Sequence, residues 1–162
     1  MKKIFVDIGH LKIAKNHDVL ETLSLGSCVG VVLYDPVAKV GGLAHIMLPE
    51  SALAKDKARK EPAKYADTAI PLMIKKMIQA GAKRPRINAR IIGGANMFKK
   101  ESERFPLNIG ERNIEAAKNV LEKAKIPVVA EDIGKDYGRT VEFEVISGKV
   151  LIKSSLRGRK EL

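Results

Sequence analysis

The sequence predicts an α+β fold: a single-domain layered α/β sandwich of mostly antiparallel or mixed sheets with helices on the outer faces. Three observations carry this expectation. Runs rich in β-branched and aliphatic residues crowd both ends of the chain, at 19–25, 29–34 and 40–48 and again at 140–146 and 149–153. Two stretches with apolar residues at helical spacing, 66–78 and 114–124, flank a strand-like segment at 87–92. The length of 162 residues, with 45% hydrophobic and 30% charged content, suits one core that buries roughly two-thirds of the unfolded surface. The domain is expected over residues 1–154, followed by a basic C-terminal tail at 155–162, with no internal repeat and no linker.

Taken in order, residues 3–7 alternate as a first strand that Ile8-Gly9-His10 ends. Residues 19–25 alternate apolar with polar and lead as a half-buried strand to Cys28, the only cysteine. Asp35-Pro36 lies as a turn signal between two aliphatic runs, which predicts an antiparallel hairpin. If Tyr34 pairs with Lys39 across a loop of 35–38, Cys28 falls opposite His45, with Cβ atoms roughly 4.5–5.5 Å apart. A slip of one residue would turn the two side chains to opposite faces.

Residues 51–62 are polar and lysine-rich without periodicity, and read as a mobile surface loop near the mouth of the site. The helix that follows buries Ala66, Ala69, Ile70, Met73, Ile74, Met77 and Ile78, and Gly81 ends it. Pro71 fits this helix if Thr68 caps it, since a proline in the first turn loses only an orphan donor. The strand at 87–92 ends at Gly93-Gly94; lacking a lysine and hydroxyl, that pair reads as turn and close packing rather than a phosphate loop. Asn108 with Glu111 resembles a capping box opening a second helix, which Pro127 stops. Strands at 128–130, 140–146 and 149–153 follow, the last two joined as a hairpin at Ser147-Gly148; past Ser154 the basic chain is expected to fray.

The formal net charge of +11 is spread along the chain, with concentrations at 55–60, 83–90 and 157–160. Such a balance favours an acidic partner. With 4% aromatic residues, no Trp and no recognisable binding motif, nucleic acid is not the expected one; an acidic protein surface, or simple solvation, accounts for the lysines. No signal-peptide apolar region and no run long enough to span a bilayer is present, so a cytoplasmic protein without membrane insertion is expected. His10 and His17 sit in polar, loop-like company, and Met73 and Met77 belong to the core. Glu131-Asp132 has no His or Cys beside it and its two side chains point opposite ways on a strand, so neither a metal site nor a glycosidase pair is expected there.

A single thiol with a histidine elsewhere in the chain is the pattern of a candidate nucleophile. A free thiol is mostly protonated near neutral pH, so catalysis needs a partner for the thiolate, and His45 is expected to serve as an imidazolium. Cys28 would then attack an amide or ester carbonyl, with backbone N–H groups from Ser27 to Val29 holding the oxyanion and His45 protonating the leaving group before activating water. Gly26 and Gly30 bracket the thiol as turn glycines that let the backbone approach a substrate closely. Thr22, expected across that turn from Cys28, is the nearest group to orient the imidazole. No metal and no cofactor enters this chemistry. Against it stand a cysteine that is only a small buried hydrophobe, a core histidine satisfied by a carbonyl, and Ser27 as a rival nucleophile whose turn position is explained by backbone hydrogen bonding.

Leu25-Gly-Ser-Cys-Val-Gly, Gly42-Leu-Ala-His-Ile-Met-Leu-Pro, Lys64-Tyr-Ala-Asp-Thr-Ala-Ile, Gly93-Gly-Ala-Asn-Met-Phe, Asn108-Ile-Gly-Glu-Arg-Asn and Gly138-Arg-Thr-Val-Glu-Phe occur in the order seen in the chemoreceptor glutamine deamidases, CheD. From about Thr22 to Val150 the chain resembles that family. The resemblance implies a cysteine hydrolase that converts particular glutamines of methyl-accepting chemotaxis receptors to glutamates with release of ammonia. By motif position it implies Cys28 as nucleophile, His45 as base and Thr22 as orienter, on an α/β sandwich related to deamidating toxins. It implies two partners as well, the cytoplasmic helices of the receptors and a CheC-type phosphatase that competes with them. Lys135 stands where a second glycine is expected after Gly134, a departure expected to bear on partner contacts rather than catalysis. A non-catalytic adaptor using the same face, and a charge-driven nucleic-acid binder, are the competing classes.

Overall fold

The computed structural model describes residues 2–52, 54–97 and 108–162. Ten strands form two five-stranded sheets. The first contains β1 (Lys3–Phe5), β3 (Val19–Leu25), β8 (Arg139–Glu144), β9 (Lys149–Ser154) and β10 (Gly158–Glu161), side by side in that order. The second runs β2 (Leu11–Lys15), β5 (Val40–Ile46), β4 (Val29–Asp35), β6 (Asn88–Gly93) and β7 (Val128–Ile133). Only β1–β3 and β6–β7 pair in parallel, so the sheets are mixed and mostly antiparallel.

The second sheet is the middle layer. Along β4, Val29, Val31 and Leu33 pack with Ala69, Ile70, Met73 and Leu121 of the helices α2 (Ala66–Gln79) and α3 (Ile109–Lys123), while Val32 and Tyr34 face Val141, Phe143 and Ile152 of the first sheet. Every residue of β4 and β5 is buried, because both faces of these strands are covered. That is why their sequences read as continuous aliphatic runs rather than as an alternation. The layers are thus sheet, sheet and helix: an α+β sandwich as expected, with both long helices of the described residues on one outer face and none of them against the first sheet. Adjacent Gly41 and Gly42 permit this double coverage, since a Cβ on Gly41 would meet the Phe143 ring and one on Gly42 the Met73 side chain. Tyr34 meets Phe143 edge-on, with ring centroids 5.4 Å apart.

Several local expectations change. β2 was not foreseen; it is a short edge strand on β5 carrying Lys12 and Lys15. The segment expected to fray as a basic tail, 155–162, instead contains β10, antiparallel to β9. The loop at 51–62 contains a short helix, α1 (Asp56–Lys60), and Ser51 is tied by its N–H and hydroxyl to the Asp67 carboxylate. Helix α2 is capped three residues before the anticipated cap. Tyr65 occupies the cap position and Thr68 donates to the Pro62 carbonyl, so Pro71 lies inside the helix, on its exposed side. Ile78, placed on the buried stripe by its spacing, is exposed. Asn108 heads α3 in the left-handed region with φ 64° and makes no side-chain cap bond, so there is no capping box. Phe98 of the Gly93 motif lies outside the described residues.

Candidate active site

The hairpin of β4 and β5 positions the site, in a register two residues from the expected one. Tyr34 pairs with Gly41 and Gly30 with His45, leaving 36–39 as the loop. Asp35 is the cause: its Oδ1 accepts the N–H of Val37 and of Ala38, both at 3.0 Å, which makes it the last strand residue and the anchor of the turn. Lys39 closes the loop with φ 54°. Continued by one residue, the register sets Cys28 across from Met47 and diagonal to His45. Because the shift is even, the two residues keep the same face, that between the sheets, where Cys28 packs against the interlayer core, and a diagonal pair has Cβ atoms roughly 7–8 Å apart or less.

Thr22 is not across a turn from Cys28, as expected, but on the other sheet. β3 bulges against β8 between Thr22 and Leu25, with Ser24 at φ 54°, and the chain then crosses at 26–28 to begin β4. Thr22 Oγ1 lies 2.7 Å from His45 Nδ1 and donates to the Val6 carbonyl at 2.6 Å. A hydroxyl has one proton. Since the carbonyl takes it, Thr22 accepts from Nδ1–H, and this fixes the tautomer in which Nε2 holds the lone pair. Nε2 is buried and has no partner among the described residues.

Electrostatics keep both groups neutral at rest. Burial pushes His45 down to about 4, against the raising influence of Asp7. Burial likewise pushes the Cys28 thiol up, although its own backbone N–H works in the opposite direction. The resting pair is therefore thiol and imidazole, not the thiolate and imidazolium expected from the sequence. Cys28 is half-buried, while His45 and Thr22 are 2% and 1% exposed.

The residues around the thiol are held by their carbonyls. The Gly26 carbonyl accepts from Ala95 N at 2.9 Å, that of Cys28 from Gly94 N at 2.9 Å, and that of Ser27 from Asn113 Nδ2 at 3.0 Å. Among the described residues the N–H groups of Ser27 and Cys28 donate to no backbone carbonyl. Val29 is already in the ladder, paired with Ile46 and Gly93. Gly30 is a strand residue, not a turn glycine, and its missing Cβ makes room for Leu25. Gly93-Gly94 stands at the end of β6. Both glycines have positive φ, and a Cβ would strike the Cys28 carbonyl at Gly93 and Ile114 at Gly94, so they dock β6 and α3 against the thiol segment.

Lys135, remote in sequence, is close in space. Its carbonyl accepts from Asn96 N and the neighbouring Gly134 N donates to the Gly93 carbonyl, so this turn braces the strand end that holds Cys28. Lys135 has φ 62°, the conformation that a glycine adopts without strain. Buried Arg139 secures the same turn through the carbonyl of Gly134 and the carboxylate of Asp132, while Glu131 pairs with Lys118. Among the described residues no cluster of three or more His, Cys, Asp or Glu is placed to hold a metal. No helix of the described residues is long and apolar enough to cross a membrane. Sequence reasoning missed Asn113, although a signal existed: it shares the buried stripe of Ala117 and Leu121, where an amide stands out.

Fold and site together define a single-domain α/β sandwich with a candidate cysteine–histidine centre between its two sheets. The family model described as CheD chemotactic sensory transduction matches residues 47–154. The "Chemoreceptor glutamine deamidase CheD" of Halalkalibacterium halodurans is 46% identical over 157 residues, 97% of this chain and 96% of its own. The "Probable chemoreceptor glutamine deamidase CheD" of Desulforamulus reducens is 48% identical over 152 residues, 94% of this chain and 90% of its own. That of Caldanaerobacter subterraneus subsp. tengcongensis is 46% identical over 159 residues, 98% and 97% of the two chains. The chain belongs to the CheD family. The family-model match begins beyond Thr22, Cys28 and His45, whereas the alignment over 159 residues spans all three.

Proposed function

We propose that this protein is a protein-glutamine deamidase acting on the cytoplasmic helices of chemotaxis receptors, with Cys28 as nucleophile, His45 as general base and acid, and Thr22 as orienter. One observation carries the reading: a buried imidazole, its tautomer fixed by Thr22, leaves Nε2 unpartnered on the face it shares with the only thiol. The names of the relatives, at 46–48% identity, support the substrate class.

The neutral resting pair sets the order of events. His45 Nε2 takes the thiol proton as Sγ adds to the carboxamide carbon, and the N–H groups of Ser27 and Cys28 receive the oxyanion. The imidazolium then gives its proton to the departing nitrogen, releasing ammonia and leaving a thioester. Water, deprotonated by the same Nε2, adds to the thioester, and collapse of that adduct returns the thiol and yields glutamate. Thr22 accepts from Nδ1–H throughout, so the ring keeps its orientation as its charge changes. Its hydroxyl carries no charge, which stabilises the imidazolium less than a carboxylate would and agrees with the lowered pKa of His45.

The net charge of +11 suits acidic receptor helices, and a cytoplasmic location follows from such a substrate. A CheC-type phosphatase remains the second partner proposed, on the family resemblance. The test is mass spectrometry of a receptor cytoplasmic fragment incubated with wild type and with Cys28→Ala. Wild type is expected to release ammonia and add about one dalton per modified glutamine, and the variant to do neither. If the variant retains both, Cys28 is not the nucleophile; if wild type does neither, the protein is a binding module.

A further inference from the structure

We propose that Asn113 is a positioning residue that aims the Cys28 N–H at the oxyanion. This rests on the deamidase reading above.

In a planar trans peptide a carbonyl and the following N–H point in opposite directions. Fixing the Ser27 carbonyl therefore fixes the direction of the Cys28 N–H. Three successive carbonyls in this segment are fixed, those of Gly26 and Cys28 by the backbone N–H of Ala95 and Gly94, and that of Ser27 by a side chain alone, Asn113. Asn113 thus sets the one peptide plane here that backbone bonds do not set, and it is the plane whose N–H belongs to the nucleophile.

The second amide proton of Asn113 goes to the Met47 carbonyl at 3.0 Å. Met47 lies across from Cys28 when the hairpin register is continued and two residues beyond His45. One amide therefore joins both sides of the site. The side chain is fully buried on the stripe of Ala117 and Leu121, and its Oδ1 has no partner among the described residues. An amide half-satisfied in an apolar layer is a poor way to stabilise a core. Its arrangement is accounted for by the two carbonyls it grips.

The experiment separates geometry at the oxyanion from general damage. Asn113→Ala and Asn113→Leu, the second filling the volume of the amide, are compared with wild type for ammonia release from a receptor cytoplasmic fragment and for alkylation of Cys28 by iodoacetamide across pH. Deamidation passes through a tetrahedral oxyanion, whereas alkylation is a direct displacement that forms none. The expected result is a fall in kcat of about 10- to 100-fold with KM nearly unchanged, and an alkylation pH profile that superimposes on wild type. Unchanged kcat would overturn the proposal, as would an alkylation profile displaced along with kcat, or failure of both variants to fold, each of which makes Asn113 an ordinary structural residue. Wild type that alkylates at Cys28 but releases no ammonia would defeat the deamidase reading itself, a result distinct from the other three.

Discussion

The two ends of the β4–β5 hairpin each bury an ionisable side chain, and they treat it in opposite ways. At the loop end Asp35 is fully buried and satisfied from every side, by Val37 N, Ala38 N, Lys83 N and the Arg86 guanidinium. Burial alone would raise its pKa, but Arg86 and the backbone donors outweigh it and hold the carboxyl at about 2. At the other end His45 is equally buried, yet only one ring nitrogen has a partner among the described residues, and burial drives its pKa down to about 4. A satisfied buried charge fixes a loop. A buried base with a free lone pair does nothing for the fold that an apolar residue would not do better, so its use lies in chemistry.

The comparison breaks first on His45. His45→Gln is expected to lower kcat for ammonia release by about 10³-fold while the protein stays folded; a variant with full activity would reduce His45 to a core residue like its counterpart. The loop end should show the reverse. Asp35→Ala leaves Arg86 and three N–H groups without their acceptor and is expected to destabilise by about 3 kcal/mol in denaturant unfolding, with kcat of the folded fraction unchanged. A matching loss of activity would couple the two ends.

The smallest effect is the most specific, because the ends answer to different pH windows. His45 has a lowered folded pKa, so the unfolded chain binds its proton first. Its contribution is complete above about 6.5 and is lost as pH falls toward 4, at a slope of up to about 1.4 kcal/mol per pH unit. Asp35 is lowered too, and its contribution is complete above about 4 and is lost only as pH falls through about 2. Unfolding free energy measured between pH 7 and 4.5 should therefore slope in wild type and flatten in His45→Gln, while Asp35→Ala keeps the slope. An unchanged slope in His45→Gln would assign that window to another group.

How the hairpin was legible in the sequence is instructive. Aliphatic runs around Asp35-Pro36 announced two strands, and side-chain alternation has a period of two, so an error of two residues in register left Cys28 and His45 on one face. The size of the loop was not legible, since it depends on the Asp35 side chain choosing the N–H of Val37 and Ala38. β10 was missed for another reason. Gly158-Arg-Lys-Glu has no apolar residue, and such a segment becomes a strand only because the edge of β9 offers it backbone partners. Thr22, expected across a turn from Cys28, lies instead across the interlayer space, with its hydroxyl 2.7 Å from His45 Nδ1.

The sequence by itself determined the layered α+β class, the strand that follows the thiol and the strand that carries the imidazole, since burial pattern and turn chemistry are local. Tertiary structure alone decided that Thr22 reaches His45 from another sheet, that Asn113 grips the Ser27 and Met47 carbonyls, and that thiol and imidazole rest uncharged. Those facts depend on which layers meet and how much water they exclude, and both are properties of contacts between residues 16 to 86 positions apart in the chain.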